Sequence, residues 1–225
     1  MRKFLLICLI VLCTFSCSSD SDSNSSSTPV SRLNTSGAYG NRLYFFTYDD
    51  SNRISSVNCS ASVSKTYAFT YDGNVISTMT VTAGSSIKTF IFTYADNKLV
   101  SFKEGGVDYP VSYNAENDIY SFRYGNQSAV FNYNAQGDLA NRDGRMYFYD
   151  ASKNGAIKSV RPNYYIVGLL ADDVWLYAVT KNPMSAMDIP GGVQRDFEST
   201  YEEGEITKLV ITEDGNPFIT ADYEY

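Results

Sequence analysis

The chain has 225 residues, with 18 Lys and Arg against 25 Asp and Glu, and a net charge of −7. Because nucleic-acid affinity comes largely from Lys and Arg on phosphates, this acidic balance argues against DNA or RNA as a partner. The chain contains no histidine, which excludes Ser-His-Asp and Cys-His catalysis and any His-based metal site.

The first residues have the pattern of a secreted protein. Arg2 and Lys3 precede an apolar run over residues 4–15, which is too short to span a bilayer of about 30 Å as a helix. A serine stands directly before Cys17, and this resembles a bacterial lipobox, in which the cysteine is acylated and the chain is cut before it. We therefore predict a signal peptide over residues 1–16 and a lipid on Cys17. The alternative is an ordinary cleaved signal with an incidental cysteine.

A Ser- and Asp-rich stretch over residues 18–28 follows. Polar low-complexity sequence of this kind buries no core, and its length gives a reach of about 20 Å. We predict a disordered, lipidated tether over residues 17–35. Asp20 and Asp22 resemble the acidic signal that sends some Gram-negative lipoproteins to the outer cell surface. The resemblance implies a lipid-anchored protein of the outer membrane, exposed on the cell.

Seven segments then repeat one pattern of apolar run, tyrosine, Asp- or Asn-containing turn, and apolar run. Apolar and small polar residues alternate before each turn, which predicts a strand, and Asp, Asn and Gly favour tight turns. Each unit is therefore predicted to be a β-hairpin. The tyrosines are Tyr48, Tyr71, Tyr94, Tyr113, Tyr133, Tyr149 and Tyr201.

The second strand of several units carries apolar residues three positions apart. This spacing would turn the two side chains to opposite faces of a regular strand, so we predict a bulge or strong twist there. The pairs are Ile54 and Val57, Ile76 and Met79, Ile119 and Phe122, and Ile157 and Val160.

Seven hairpins predict about fourteen strands, and open sheets beyond about ten strands curl, split or flatten. A curled sheet, a half-barrel or a closed barrel is therefore expected. We predict a single all-β domain over residues 36–225, an antiparallel meander forming a large curved open sheet or half-barrel. The alternation of Ile219, Ala221, Tyr223 and Tyr225 also occurs in transmembrane barrels. Predicted outward positions rich in Thr, Ser, Asn and Lys argue against a membrane-spanning one.

The repeated units resemble the YD, or RHS-like, repeats of bacterial surface proteins. Tyr48-Asp49, Tyr71-Asp72 and Tyr149-Asp150 carry the signature, and the other turns depart from it. With its lipobox and tether, the chain is similar to a family of bacterial surface lipoproteins of unknown function with a porin-like fold. The resemblance implies an open, curved sheet and brings no catalytic residue with it.

Residues 163–193 interrupt the repeat and contain the one tryptophan, Trp175. Residues 171–180 are compatible with a short helix or a buried strand. We expect this insertion to pack on the concave face of the sheet and fill it. The alternative is a ligand groove to which aromatic side chains contribute, with Trp175, Tyr177, Tyr164 and Tyr165 as candidates.

The acidic turns, the adjacent carboxylates and the arginines of the chain do not indicate a catalytic or metal-binding site. The acidic turns lack the patterns of calcium loops, so no metal or cofactor is predicted. The adjacent carboxylates Asp172-Asp173, Glu202-Glu203 and Glu213-Asp214 favour solvated turns over the paired acids of a glycan hydrolase. No basic cluster is predicted from Arg123, Arg142 and Arg145.

We therefore predict a monomeric, non-enzymatic surface lipoprotein that contacts the membrane through its lipid and binds a glycan or a protein. The alternatives are a structural envelope protein without a ligand, a membrane-spanning barrel, and a carboxylate-based glycan hydrolase.

Overall fold

A computed structural model describes residues 28–156, 164–171, 175–178 and 180–225. Within these residues, sixteen antiparallel strands follow one another around a closed barrel, and two helices lie between the twelfth and thirteenth strands. None of the described helices is long and apolar enough to cross a membrane. The strands are β1 (Arg32–Gly37), β2 (Arg42–Tyr48), β3 (Ile54–Ser60), β4 (Lys65–Asp72), β5 (Val75–Ala83), β6 (Ser86–Ala95), β7 (Lys98–Glu104), β8 (Val107–Asn114), β9 (Ile119–Tyr124), β10 (Gln127–Tyr133), β11 (Leu139–Arg142), β12 (Arg145–Tyr149), β13 (Met184–Ile189), β14 (Val193–Glu202), β15 (Glu205–Glu213) and β16 (Asn216–Glu224), and the helices are α1 (Tyr164–Ala171) and α2 (Trp175–Ala178).

The sheet is closed, so the prediction of an open sheet or half-barrel is wrong. The first strand, β1, pairs antiparallel with β16 along its whole length, from Arg32 opposite Glu224 to Gly37 opposite Ile219. Gly37 has φ +128°, and a Cβ there would lie 2.2 Å from the Phe218 carbonyl oxygen. The pairing of β1 with β16, here called the seam, therefore requires glycine at this point. Closure removes both sheet edges, which would otherwise expose unpaired backbone groups.

Three strands lie outside the predicted hairpins. Strand β1 begins within residues 17–35, the range expected to be tether, and β16 follows the last repeat. Strand β12 pairs with β13, which belongs to the insertion predicted over residues 163–193. The sequence predicts the strand that pairs with β12 at residues 157–160 of the sixth repeat, and these residues lie outside the described ones. The predicted signal peptide and Cys17 also lie outside the described residues.

Aromatic side chains face the inside of the barrel. On β4, Tyr67 and Phe69 are 0% and 6% exposed, whereas Ala68 between them and Thr70 after them are exposed. The next hairpin repeats the arrangement with Phe90. Period-two alternation therefore places the apolar residues in one continuous core, as the repeats predict.

The bulges that the three-residue spacing predicts occur at the start of the second strand of most repeat hairpins. Tyr71 lies opposite Ile76 but Thr70 lies opposite Thr78, so Ser77 is the extra residue. The bulge allows both Ile76 and Met79 to face the core, and both are fully buried. The same shift occurs between β2 and β3, β6 and β7, β10 and β11, β12 and β13, and β14 and β15.

The pair Ile119 and Phe122 is an exception. Strands β8 and β9 pair without a shift, with Tyr113 opposite Tyr120 and Asn114 opposite Ile119. Tyr120 then shares the inner face with Phe122, and its ring stacks on Phe131 at 5.3 Å between centroids. The predicted bulge is absent there because Tyr120, rather than Ile119, supplies the inward side chain.

The two helices lie inside the barrel and fill it. Trp175 of α2 is 0% exposed, and its ring centroid lies 6.1 Å from Phe46 of β2 and 5.9 Å from Tyr67 of β4. Ile166 and Val167 of α1 are also buried. The helices approach closely because residue 168 is glycine: a Cβ there would lie 2.4 Å from Leu176 Cδ1.

Candidate functional site

The barrel has two different mouths. One, here called the tyrosine mouth, holds the tyrosines that end β2, β4 and β12 and both ends of the described barrel, at residue 28 and at Tyr225. The other, here called the arginine mouth, is formed by the tight turns after the odd-numbered strands, which include the turn between Arg142 and Arg145. Up-and-down topology alternates the turns between the two mouths, so residues distant in sequence meet at each.

Two of the four predicted groove residues, Trp175 and Tyr177, lie inside the barrel. Trp175 is fully buried, and its indole Nε1 has no hydrogen-bond partner within the described part of the chain. Tyr177 is half-buried and lies near Tyr147 inside the barrel. Tyr164 and Tyr165 belong to α1, and their side chains lie outside the described part. Trp175 therefore belongs to the packing that fills the lumen.

The predicted carboxylate pairs do not converge. Glu202 and Glu203 lie at the turn between β14 and β15 at the tyrosine mouth, whereas Glu213 and Asp214 lie at the arginine mouth. The remaining pair, residues 172–173, lies outside the described residues. The described residues also hold no cluster of three or more acidic or cysteine side chains suited to a metal. The two pairs that the structure describes therefore lie at opposite mouths and do not come together.

Asp49 shows what the acidic turn residues of the repeats do. Its Oδ1 accepts the backbone N–H groups of Ser51 and Arg53, both at 2.9 Å, and its Oδ2 accepts Arg53 Nε at 2.7 Å. Burial acts to raise the pKa of Asp49, but these hydrogen bonds outweigh it and hold the pKa below its usual range. The carboxylate therefore closes the turn and is not available for a ligand.

The arginine mouth contains a cavity of about 430 Å³ between three hairpin turns, here called the mouth cavity. This volume is in the range typical of small-molecule sites. Leu169 of α1 reaches it from inside the barrel, so the filled lumen provides its floor. Its lining is Phe122, Tyr124, Gln127, Ser128, Ala129, Arg142, Asp143, Arg145, Leu169, Ile189 and Pro190.

Two arginines face the inside of this mouth, which corrects the prediction that they form no basic cluster. Arg142 lies opposite the buried Phe131, and Arg142 and Arg145 lie opposite each other across β11 and β12. Directly paired residues share a face of the sheet. Asp143 and Gly144 between them have positive φ values of 51° and 82°. The sequence contains a signal for this pair: in Arg-Asp-Gly-Arg, Asp-Gly is typical of a two-residue hairpin turn, which places the two flanking arginines opposite each other.

The charge of the two arginines is only partly compensated. Asp143 Oδ2 lies 3.6 Å from Arg142 Nε, which is longer than a hydrogen bond, and Asp143 Oδ1 accepts the Val130 backbone N–H at 2.8 Å. Nearby, burial raises the pKa of Tyr147 to about 12, Tyr177 adds to this rise, and Arg142 and Arg145 act against it. Arg145 is hydrogen-bonded to the Tyr147 side chain, and the lining of the mouth cavity holds two guanidinium groups against one carboxylate.

Comparison with known proteins identifies the fold and no family. No protein-family model and no curated protein matches the chain, so the likeness to YD repeats and to lipoproteins gains no support there. A porin-like protein from Bacteroides vulgatus is similar in structure, with 10% identity, a TM-score of 0.51, and coverage of 88% of this chain and 98% of that one. A porin-like protein from Bacteroides uniformis has 12% identity and a TM-score of 0.42 over the same shares. By its likeness to the former, this chain has the fold of a porin-like barrel.

Proposed function

We propose that this protein is a lipid-anchored envelope protein whose filled barrel stands in water and acts as a non-catalytic binding module. The observation that carries the proposal is the distribution of side chains across the barrel wall. Most aromatic residues lie inside, and many hydroxyl-bearing and charged residues lie outside, together with exposed apolar side chains such as Phe45, Ile91 and Phe148. Membrane-spanning porins have the opposite distribution, because their outer face meets lipid and their lumen meets water.

The outer face carries charges in the middle of long strands. Glu198 of β14, Lys208 of β15 and Asp222 of β16 are all exposed, and Lys208 lies directly opposite Asp222. A lysine at the midplane of a lipid-facing barrel wall costs about 2–4 kcal/mol, and an aspartate or glutamate there costs less. Several such charges on adjacent strands favour a barrel surrounded by water.

The hydroxyl groups of the outer face also pair with one another. Thr70 Oγ1 lies 2.8 Å from Ser77 Oγ, and Thr80 Oγ1 lies 3.1 Å from Thr89 Oγ1. A transmembrane barrel needs an apolar outer band about 25 Å tall. These strands offer a hydroxyl-rich surface where such a band would have to lie.

The filled lumen argues against conduction. Barrels of sixteen strands that act as porins enclose a water-filled channel, whereas here α1 and α2 occupy the interior and Trp175 has no exposed surface. The structural likeness to porin-like proteins therefore concerns the wall of the barrel. It does not carry a transport function to this chain.

The position of the chain ends is compatible with an anchor at Cys17. Residues 28–31 run to β1 at the tyrosine mouth, where the Ser31 backbone N–H donates to the Glu224 carbonyl at 2.8 Å. A tether attached there would hold the tyrosine mouth towards the membrane. The arginine mouth would then be the part of the barrel farthest from the membrane, where an external ligand arrives first.

The anchor is tested by labelling cells with radioactive palmitate. We expect label on the wild-type protein and none on Cys17→Ala, because acylation requires that thiol. Cys13→Ala is the matched control, since it precedes the predicted cut, and it should keep the label. Label that persists on Cys17→Ala would contradict the proposal.

The water-facing barrel is tested with a chain that begins at residue 28, which retains all described strands. We expect it to remain monomeric without detergent and to produce no conductance steps in a planar bilayer. A requirement for detergent, or reproducible conductance, would show that the outer face meets lipid.

A structural envelope protein without a ligand is the second candidate. The position of α1 and α2 favours it, because these helices occupy the lumen and bury Ile166, Val167 and Trp175 there. The two candidates differ only in whether the arginine mouth binds a ligand.

A further inference from the structure

The two arginines of the mouth cavity differ from Arg195, which lies at the same mouth, in how their charges are paired. Arg195, at the same mouth, donates from Nε to Glu213 Oε2 at 2.8 Å, and its second nitrogen lies 2.7 Å from the same oxygen. Its guanidinium also lies 3.9 Å from the Phe218 ring centroid. Arg195 is therefore fully engaged within the protein and serves as a reference for a structural arginine.

Arg142 is engaged far less. Its Nε is buried and has no hydrogen-bond partner within the described part of the chain, since the 3.6 Å approach to Asp143 is too long for one. A buried guanidinium nitrogen without a hydrogen bond is costly to the free protein. Such a cost is offset when a ligand supplies the missing acceptor.

The remaining walls of the mouth cavity suit a ring-shaped ligand with polar groups. The Tyr124 ring lines the cavity and packs against two other rings, with centroid distances of 5.0 Å to Tyr109 and 5.9 Å to Phe102. The Tyr124 hydroxyl oxygen accepts a hydrogen bond from Lys88 Nζ at 3.4 Å. Gln127 adds an amide at the rim, and Phe122 and Leu169 form an apolar floor. Sugars have both an apolar ring face and hydroxyl groups, and this combination of surfaces matches them.

We propose that the mouth cavity binds an acidic sugar, with its carboxylate or phosphate held by Arg142 and Arg145 and its ring set against Tyr124 and the apolar floor. Guanidinium groups match both oxyanions with paired, charge-assisted hydrogen bonds. The cavity of about 430 Å³ admits one or two sugar rings. The inference deepens the binding role proposed above, and it does not depend on the lipid at Cys17.

The first test is calorimetric titration of the chain beginning at residue 28 with glucuronate, glucose 6-phosphate, inorganic phosphate and glucose. Both acidic sugars are expected to bind at least about tenfold more tightly than glucose. Added salt should weaken the binding of the acidic sugars, because it screens their charge. Tighter binding of glucuronate than of glucose 6-phosphate identifies a carboxylate ligand, and the reverse identifies a phosphate ligand. Equal binding of glucose, or no binding by either acidic sugar, would overturn the proposal.

The second test assigns the binding to the two arginines. Arg145→Gln and Arg142→Gln should each lower the affinity for the acidic sugars by about tenfold or more, because each substitution removes charge-assisted hydrogen bonds. Arg123→Gln is the matched control: it removes one positive charge from the exposed outer face of β9 and should bind as the wild type does. Unchanged binding in Arg145→Gln would refute the site.

Thermal melts identify a variant that fails to fold. If Arg142→Gln does not fold, the half-buried Arg145 and the comparison of sugars on the wild-type protein still decide the question. Failure of binding leaves the palmitate and solubility results unaffected. Those results in turn can contradict the anchored, water-facing barrel even if an acidic sugar binds.

Discussion

At the scale of single residues, the repeated tyrosine holds the tyrosine mouth together through its hydroxyl group. Tyr71 at the end of β4 donates to the Ile54 carbonyl at the start of β3 at 2.5 Å, and Tyr149 donates to Leu139 at 2.8 Å. Tyr48 and Tyr225 repeat this contact with Val30 and Ile206. Three tyrosines of the repeat, Tyr48, Tyr71 and Tyr149, thus join neighbouring strands at the mouth opposite to the hairpin turn of that pair. Two others have different partners, since Tyr113 donates to Asp118 and Tyr201 donates to the Asn154 carbonyl.

Removal of one such hydroxyl tests this role. We expect Tyr71→Phe to lower the free energy of unfolding by about 1 kcal/mol, because the Ile54 carbonyl loses its donor while the ring keeps its contact with Arg53 at 4.2 Å. Urea unfolding measures the change. Tyr39→Phe is the control, since Tyr39 is 46% exposed, and an equal loss in both variants would contradict the role.

The buried Tyr147 predicts a loss of stability in alkali. Burial raises its pKa in the folded protein to about 12, whereas a tyrosine in an unfolded chain has a pKa of about 10. The unfolded chain therefore releases this proton first, so the stability contributed by neutral Tyr147 is complete below pH 10 and is lost as the pH rises towards 12. The loss is about 3 kcal/mol.

Urea unfolding of wild type and Tyr147→Phe at a series of pH values measures this. Other buried tyrosines, including Tyr223, have raised pKa values as well, so both proteins should weaken in alkali. The variant should weaken less between pH 10 and 12. Parallel curves for the two proteins would show that Tyr147 does not titrate in this way.

At the scale of elements, the insertion between β12 and β13 determines what the lumen contains. Its two ends are joined at the tyrosine mouth, where the Gly155 N–H donates to the Lys181 carbonyl at 2.8 Å. The Lys181 N–H donates to Asp138 Oδ1 at 3.0 Å, which ties the insertion to the turn after β10. Leu169 reaches the mouth cavity at the other end of the barrel. The described helices of the insertion therefore contribute to the core of the barrel, together with the inward side chains of the strands.

Trp175 reports directly on this packing because it is the one tryptophan of the chain. We expect blue-shifted fluorescence that acrylamide barely quenches, since the ring is 0% exposed. Trp175→Ala should lower the free energy of unfolding by about 3–5 kcal/mol. Emission typical of water-exposed tryptophan, or a loss below about 1 kcal/mol, would contradict a filled lumen.

At the scale of the whole molecule, closure between β1 and β16 makes one barrel out of a meander. Leu33 of β1 is fully buried, and Val30 just before it is 1% exposed. The Arg32 side chain pairs with Glu224 at 3.0 Å across this seam. Four of the six paired positions of β1 and both buried apolar side chains thus lie in the segment that was expected to be tether.

A chain that begins at residue 38 lacks β1 and tests the closure. Relative to the chain that begins at residue 28, we expect a loss of more than about 3 kcal/mol in the free energy of unfolding, because two buried side chains and one seam disappear. The exposed edges of β2 and β16 should also promote association, measured by light scattering. A monomer of unchanged stability would contradict the importance of the seam.

The candidate site was only partly predictable. The Asp and Gly of its hairpin turn are visible in sequence, and that turn places Arg142 beside Arg145. The other walls come from Tyr124, Leu169 and Pro190, which belong to elements far apart in the chain. Their meeting depends on the position of α1 inside the barrel and on the alternation of turns between the two mouths.

The sequence by itself determined the hairpins, their tight turns, the inward aromatic face and most of the bulges, because these follow from contacts between residues close in the chain. Only the tertiary structure decided that the sheet closes, that β13 replaces the expected partner of β12, and that Trp175 is buried in the lumen. Strand β1 carries no aromatic alternation, and its partner lies more than 190 residues away, as Arg32 and Glu224 show. Pairing at that distance depends on the curvature accumulated over all the strands between, which no local pattern specifies.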